Sequence, residues 1–201
     1  MAESNQLEQK LREYYNKGLF ALEKKNYDYA IELFSQALTL KNDFADARHY
    51  LRLVEQRRVL EHPPSLPELL FNKLKNTLLL LKAMILDFRH LYAQAACEYE
   101  KILRSEPNNV LMLTLLAQEL LKEKDALSAM KIFEQIRQID PSNIMALKSL
   151  GRLCAQLENF ALARECYEAV LKVCPHDPEA EKGVKNLDAL GVIKQGFGQG
   201  K

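Results

Sequence analysis

The chain has 201 residues, 48% of them apolar and 27% charged, with no tryptophan and a formal net charge of +1. That is enough apolar content for a folded core, and too little net charge for a general attraction to nucleic acid or an anionic membrane. Four dispersed cysteines, Cys97, Cys154, Cys166 and Cys174, form no disulfide framework.

The opening stretch, "MAESNQLEQK", lacks the apolar core of a signal peptide. A cytoplasmic protein with reduced thiols is expected. Residues 11–44 read as two amphipathic helices, with Tyr14, Gly18, Ala30, Phe34 and Ala37 at helical steps. Residues 45–75 read as a shorter, degenerate pair. In it, "ADARHYLRLVEQRRVLE" supplies a first helix, "HPPSLP" breaks the chain, and "ELLFNKLK" supplies a short second helix. Arg48, Arg52, Arg57 and Arg58 cluster on that first helix and are expected to form a solvated face or a docking patch for an acidic segment. The most apolar run, "NTLLLLKAMIL" at 76–86, carries Lys82 at its centre and is too short to span a bilayer.

From residue 76 the chain repeats. "SEPNNV" (105–110), "IDPSNI" (139–144) and "VCPHDP" (173–178) place Pro107, Pro141 and Pro175 at intervals of 34. Within blocks 76–109, 110–143 and 144–177, Ala83, Ala117 and Gly151 share one position, and Ala95, Ala129 and Ala163 share another. Four residues after each of those alanines stands Tyr99, Phe133 or Tyr167. Steps of three and four mark one buried stripe per helix, so each block reads as a helix pair. Small residues let the two helices approach, and the aromatic packs over the gap. Each proline ends its block, and Asn109, Asn143 and Asp177 stand as N-caps of the helices that follow. Asp125 and Asn159 are polar residues for the turn within a pair, whereas Leu91 at the equivalent place is not. A helix at 177–190, with Val184, Leu187 and Leu190 inward, closes the array, and residues 191–201, with four of the seven glycines, read as a flexible tail.

These residues resemble the tetratricopeptide repeat: a 34-residue helix pair with small residues, an aromatic and a terminal proline at fixed places. The block at 11–44 departs from it at Asn42, where the proline would stand. The resemblance implies an all-α fold, a right-handed α-solenoid of tetratricopeptide-type pairs over residues 1–190. Its repeats are four good ones at 11–44, 76–109, 110–143 and 144–177 and a degenerate one at 45–75, with the capping helix after them.

No catalytic motif, glycine-rich phosphate loop or metal-ligand spacing is present, and Cys166, Cys174 and His176 lack a CxxC pair. No enzyme activity, cofactor or metal is expected. What the resemblance implies is a protein partner, an amphipathic helix or an extended peptide, held along the first helix of each pair. The lining positions that carry over are Tyr15, Leu19, Leu80, Leu81, Met84, Phe88, Leu111, Leu115, Gln118, Lys122, Lys148 and Arg152. Similar proteins that clamp the terminal carboxylate of large heat-shock chaperones need a lysine and an asparagine in the first repeat. Here Tyr15 replaces the lysine and Leu19 follows Gly18, so that clamp is absent. The apolar lining instead suits a partner helix, with Lys122, Lys148 and Arg152 orienting an acidic flank. The expected role is an adaptor. A secretion-type chaperone that shields an apolar client segment, and a homodimer seam, are the alternative uses of the same surface.

Overall fold

A computed structural model describes the backbone of residues 2–198 and the side chains of residues 6–189. The described residues form helices and turns, with no strand among them. The helices are α1 (Ala2–Glu23), α2 (Tyr27–Leu40), α3 (Ala45–Glu61), α4 (Leu66–Phe88), α5 (Tyr92–Leu103), α6 (Val110–Lys122), α7 (Ala126–Ile139), α8 (Ile144–Gln156), α9 (Phe160–Val173) and α10 (Pro178–Gly198). They fall into two compact units, one running up to Ile132 and the other starting at Phe133, where a single unit over 1–190 was expected.

One backbone device makes every turn within a pair. Lys25, His90, Lys124 and Glu158 occupy the same repeat position and all have a left-handed backbone, with φ between 57° and 64°. The next N–H in each case reaches back to a carbonyl five residues earlier: Asn26 to Ala21, Leu91 to Leu86, Asp125 to Leu120, Asn159 to Cys154. This is a Schellman ending, and none of the four left-handed residues is glycine. The residue after it doubles as the N-cap of the second helix. Asn26, Asp125 and Asn159 each accept a hydrogen bond from the N–H three residues on. Leu91 has no side chain to do so. There Glu123, from the next turn, accepts from the Ala93 N–H at 3.1 Å. The turn at Leu91 therefore forms by backbone geometry, with its cap borrowed from another pair.

Between pairs, Asn109 and Asn143 accept from Met112 and Ala146, and Asp177 accepts from Ala180, as the caps read from the sequence require. Within pairs the close approaches also follow the sequence. A Cβ on Gly18 would sit 2.8 Å from the Phe34 ring, and one on Gly151 would sit 3.1 Å from the Tyr167 ring. Ala30, Ala95, Ala129 and Ala163 are fully buried. In the second unit Tyr167 is held from both sides, because a Cβ on Gly183 of α10 would lie only 2.6 Å from its other edge. α10 itself runs past 190 to Gly198. The boundary expected at 190 thus falls inside a helix: the segment holds no proline, and extending a formed helix costs far less than starting one. Residues 199–201 lie outside the described residues.

Two expectations at 45–75 are corrected. The segment is not a helix pair. α3 packs on α2, and "ELLFNKLK" is the first part of α4, continuous with the first helix of the next repeat. Nothing between Pro67 and Phe88 breaks a helix: the stretch lacks both glycine and proline. Nor do Arg48 and Arg52 belong to a solvated face, although Arg57 on the same helix is exposed. Arg48 and Arg52 are 1% and 2% exposed. Arg48 donates to Glu100 (2.8 Å), Asp125 (3.0 Å), Ser128 (2.8 Å) and the Asn42 carbonyl (2.7 Å). Asn42, standing where the repeat has proline, thereby anchors this arginine. Two arginines, Arg48 foremost and then Arg52, hold the Glu100 carboxyl below the usual range although burial alone would raise it. Arg52 meets the fully buried Glu55 through one hydrogen bond of 3.2 Å and an ion-pair contact of 2.9 Å, leaving Arg52 Nε and Glu55 Oε2 without hydrogen bonds. Burial therefore prevails over Arg52 and pushes the Glu55 carboxyl up to about 7.

Three measurements check these contacts. Arg48→Met strands Glu100 and Asp125 and is expected to cost about 3–5 kcal/mol in urea denaturation; a loss under about 1 kcal/mol is the typical scale of an exposed pair and would deny the buried network its role. Folded Glu55 binds its proton more tightly than the unfolded chain does, so it contributes stability below its ordinary value of 4.5 and loses it as pH rises toward about 7. Glu55→Gln is expected to make the chain more stable than wild type at about pH 8 but not at about pH 4, and an equal effect at both ends contradicts the shift. Gly183→Ala gains about 1 kcal/mol of helix propensity but forces a methyl into Tyr167, at a cost of about 1–3 kcal/mol. A net drop in melting temperature is expected, and a rise would show that the contact is loose.

Candidate protein-docking surface

Among the described residues, α4 carries more exposed large apolar side chains than any other helix. It starts after Pro63 and Pro64, where the Ser65 N–H donates to the Glu68 carboxylate at 2.7 Å. That bond holds the Glu68 carboxyl below its usual range. One face of α4 is sealed. Asn76, Ala83 and Leu86 are buried, and the Asn76 amide donates to Ser105 at 3.0 Å and Glu106 at 2.9 Å, in the turn between α5 and α6. The other face is open. Leu70, Phe71, Leu74, Leu78, Leu81, Met84, Ile85 and Phe88 are all more than half exposed.

The twelve lining residues read from the sequence divide three ways. On α4, Leu81, Met84 and Phe88 are exposed and Leu80 is half-buried; on α6, Leu111 and Gln118 are exposed and Leu115 is half-buried. The two helices meet at their C-terminal ends, where Lys122 donates to Asp87. Tyr15 and Leu19 do not belong with them. Tyr15 packs among Phe34, Phe44 and Tyr50 with ring centroids 5.1–6.0 Å away, and Leu19 packs against the same core. This corrects their placement: in the first pair these side chains turn inward because Phe44 and Tyr50 arrive from α3 and its approach.

The three cations are not free to orient an acidic flank. Lys122 is held by Asp87 and Glu119 and lies 5.1 Å over the Tyr92 ring. In the second unit, Lys148 pairs with Asp177 (2.9 Å) and Glu179 (3.0 Å), and Arg152 pairs with Glu179 (2.5 Å). These bonds fasten the start of α10 to α8. The Asp177 carboxyl sits below its ordinary range, chiefly through the Ala180 N–H and then Lys148.

Sequence reasoning missed Phe71, Leu74, Leu78 and Ile85. The repeat frame starts at 76 and assigned Phe71 and Leu74 to a different helix, and the lining positions that the resemblance implies within 76–109 pass over Leu78 and Ile85. The signal was present in the spacing, since the three- and four-residue steps of apolar side chains run through 76 without a break. Of the cysteines, Cys154 and Cys166 are buried, and burial pushes the Cys166 thiol up to about 12. No group of three or more His, Cys, Asp or Glu side chains among the described residues could hold a metal ion, and no described helix is long and apolar enough to cross a membrane.

Because Leu78 and Leu81 are more than half exposed among the described residues, Leu78→Glu with Leu81→Glu is expected to leave the helical circular-dichroism signal and melting temperature within a few degrees of wild type. Unfolding of that variant would make the face part of the core.

Two family models match the sequence: one described as tetratricopeptide repeat over residues 12–44, and one described as anaphase-promoting complex, cyclosome, subunit 3 over residues 89–170. No curated protein matches the chain. Among solved structures, the chain is similar to the first tetratricopeptide domain of Spaghetti (RPAP3) bound to an HSP90 peptide, at 21% identity and TM-score 0.52 over 59% of this chain and 94% of that one. It is similar to the tetratricopeptide domain of P58(IPK), at 18% identity and TM-score 0.50 over 95% of this chain and 57% of that one. It is also similar to the Sgt2 domain from Aspergillus fumigatus, at 18% identity and TM-score 0.51 over 63% of this chain and 84% of that one. At these identities the likeness speaks for the fold, an all-α solenoid class of helix pairs. The 34-residue register, the repeated turns and the family model over residues 12–44 agree on a fold of tetratricopeptide-type helix pairs.

Proposed function

We propose that this chain is a non-catalytic adaptor that holds a segment of a partner protein on the apolar surface of α4 and α6. The observation that carries the reading is the joint exposure of Leu81, Met84, Phe88 and Leu111, at 54%, 56%, 86% and 62%, on the first helices of two successive pairs. Large apolar side chains left in water on one surface mark an interface, and side chains at helical spacing suit a helix docked against them. A fold of this type is compatible with that role, since the RPAP3 domain it resembles was solved with a peptide bound. That peptide, SRMEEVD, is acidic. The lysine and asparagine expected of a carboxylate clamp are here Tyr15 and Leu19, both half-buried against the core of α1, α2 and α3. The recognition proposed is therefore apolar and lateral, not a grip on a chain terminus. A cytoplasmic setting accords with two buried cysteine thiols, but the reading does not depend on it.

The test is affinity capture on the full chain, with the bound protein identified by mass spectrometry and its stoichiometry measured. Leu81→Glu with Leu111→Glu is expected to abolish capture at unchanged helical content. Undiminished capture by the folded double variant would move the binding site off α4 and α6.

A further inference from the structure

The open face of α4 is more regular than the repeat requires. Phe71, Leu74, Leu78, Leu81, Ile85 and Phe88 follow one another at steps of three and four, the seam of a two-stranded coiled coil. Each is 54–86% exposed. Their span is about 26 Å at 1.5 Å per residue, and two of the six, Phe71 and Leu74, precede residue 76, where the repeat frame begins. The opposite face is closed on α5 by Ala83 and Leu86 and pinned by Asn76, so the seam cannot turn inward.

The charges beside the seam are one-sided. Lys75, Lys82 and Arg89 stand seven residues apart and so share one edge. Lys75 and Arg89 have no partner among the described residues, and Lys82 reaches Glu98 with 59% of its side chain still exposed. Both acids of α4 are engaged: Glu68 in the helix start and Asp87 with Lys122. A second copy of α4 fits this poorly. Antiparallel, it sets Lys75 near the other Lys82; parallel, it sets the basic edge against Thr77 and Met84.

We propose that the α4 seam takes an acidic amphipathic helix of a partner protein, packed alongside it, with carboxylates set against Lys75 and Arg89. This rests on the adaptor reading and specifies the chemistry of the partner. Like-signed edges disfavour self-pairing, and opposite charges at the positions flanking the seam select the partner and its orientation.

Two synthetic helical peptides of about 21 residues serve as probes, both with leucine at the seam positions, one flanked by glutamate and the other by lysine. Binding to the full chain is read by fluorescence anisotropy, and the mass of the free chain by sedimentation. The glutamate peptide is expected to bind at least about tenfold tighter than the lysine peptide, with the gap narrowing as salt rises. Lys75→Glu with Arg89→Glu is expected to reverse the order, and Leu78→Glu with Leu81→Glu to abolish both. Equal binding of the two peptides, untouched by charge reversal, overturns this inference and leaves the adaptor reading in place. Binding of neither also overturns it, and a dimer dissolved by Leu78→Glu assigns the seam to a second copy instead. Loss of the partner captured through Leu81 and Leu111 remains the separate measure of the adaptor reading.

Discussion

Arg48 is the joint on which the first unit turns. α1, α2 and α3 bury a core of their own, built from Phe34, Ala37, Ala47, Leu51 and Val54. What links that core to α5 and the start of α7 is polar: Arg48 to Glu100, Asp125 and Ser128, supported by Arg104 to Ser35 and Gln56 to Asn108. A buried guanidinium tolerates dehydration only while its donors are matched. Four protein groups match Arg48, whereas the Arg52–Glu55 pair beside it is left short of hydrogen bonds. The consequence reaches the exposed face of α4. α3 is committed to α2, α5 and α7, so it does not cover α4, whose main helix neighbour is α5.

The repeat tolerates exceptions because its essential geometry is carried by the backbone. The left-handed residue and the long reach of the following N–H recur at Lys25, His90, Lys124 and Glu158 whatever the side chain. Side chains then supply what is missing locally. Glu123 caps α5 where Leu91 cannot, and Asn42 turns the chain where proline is absent and receives Arg48 as well. Strain in the left-handed region, about 1–2 kcal/mol for a residue with a Cβ, is accepted at each turn because burial on either side outweighs it.

Charge sorts the surface into parts that stabilise the chain and a part left open. Lys122, Lys148 and Arg152 lie at the lining positions read from the sequence, yet each is closed by carboxylates of its own chain. Glu98 shows the same economy: its buried carboxyl would be raised by desolvation, but Lys82 and Lys101 together hold it below the usual range. Lys75 and Arg89, which have no partner among the described residues, border the long apolar stripe of α4.

The sequence alone determined the repeat, because a 34-residue register of small, aromatic and capping residues constrains neighbours on the same and adjacent helices, where contacts are local. Gly18 against Phe34, Gly151 against Tyr167 and the caps at Asn109, Asn143 and Asp177 could all be read from spacing. Only the tertiary structure decided which of two equally helical stretches is continuous, and which charged or aromatic side chains are inside. Arg48 is buried by residues 52 to 80 positions away, and Tyr15 is half-buried against rings on α2 and α3; no periodicity along the chain carries that information. α4 joins the two cases. Its apolar steps are visible in the sequence, but whether they face a core or water depends on where α3 comes to rest, and long-range ion pairs settle that.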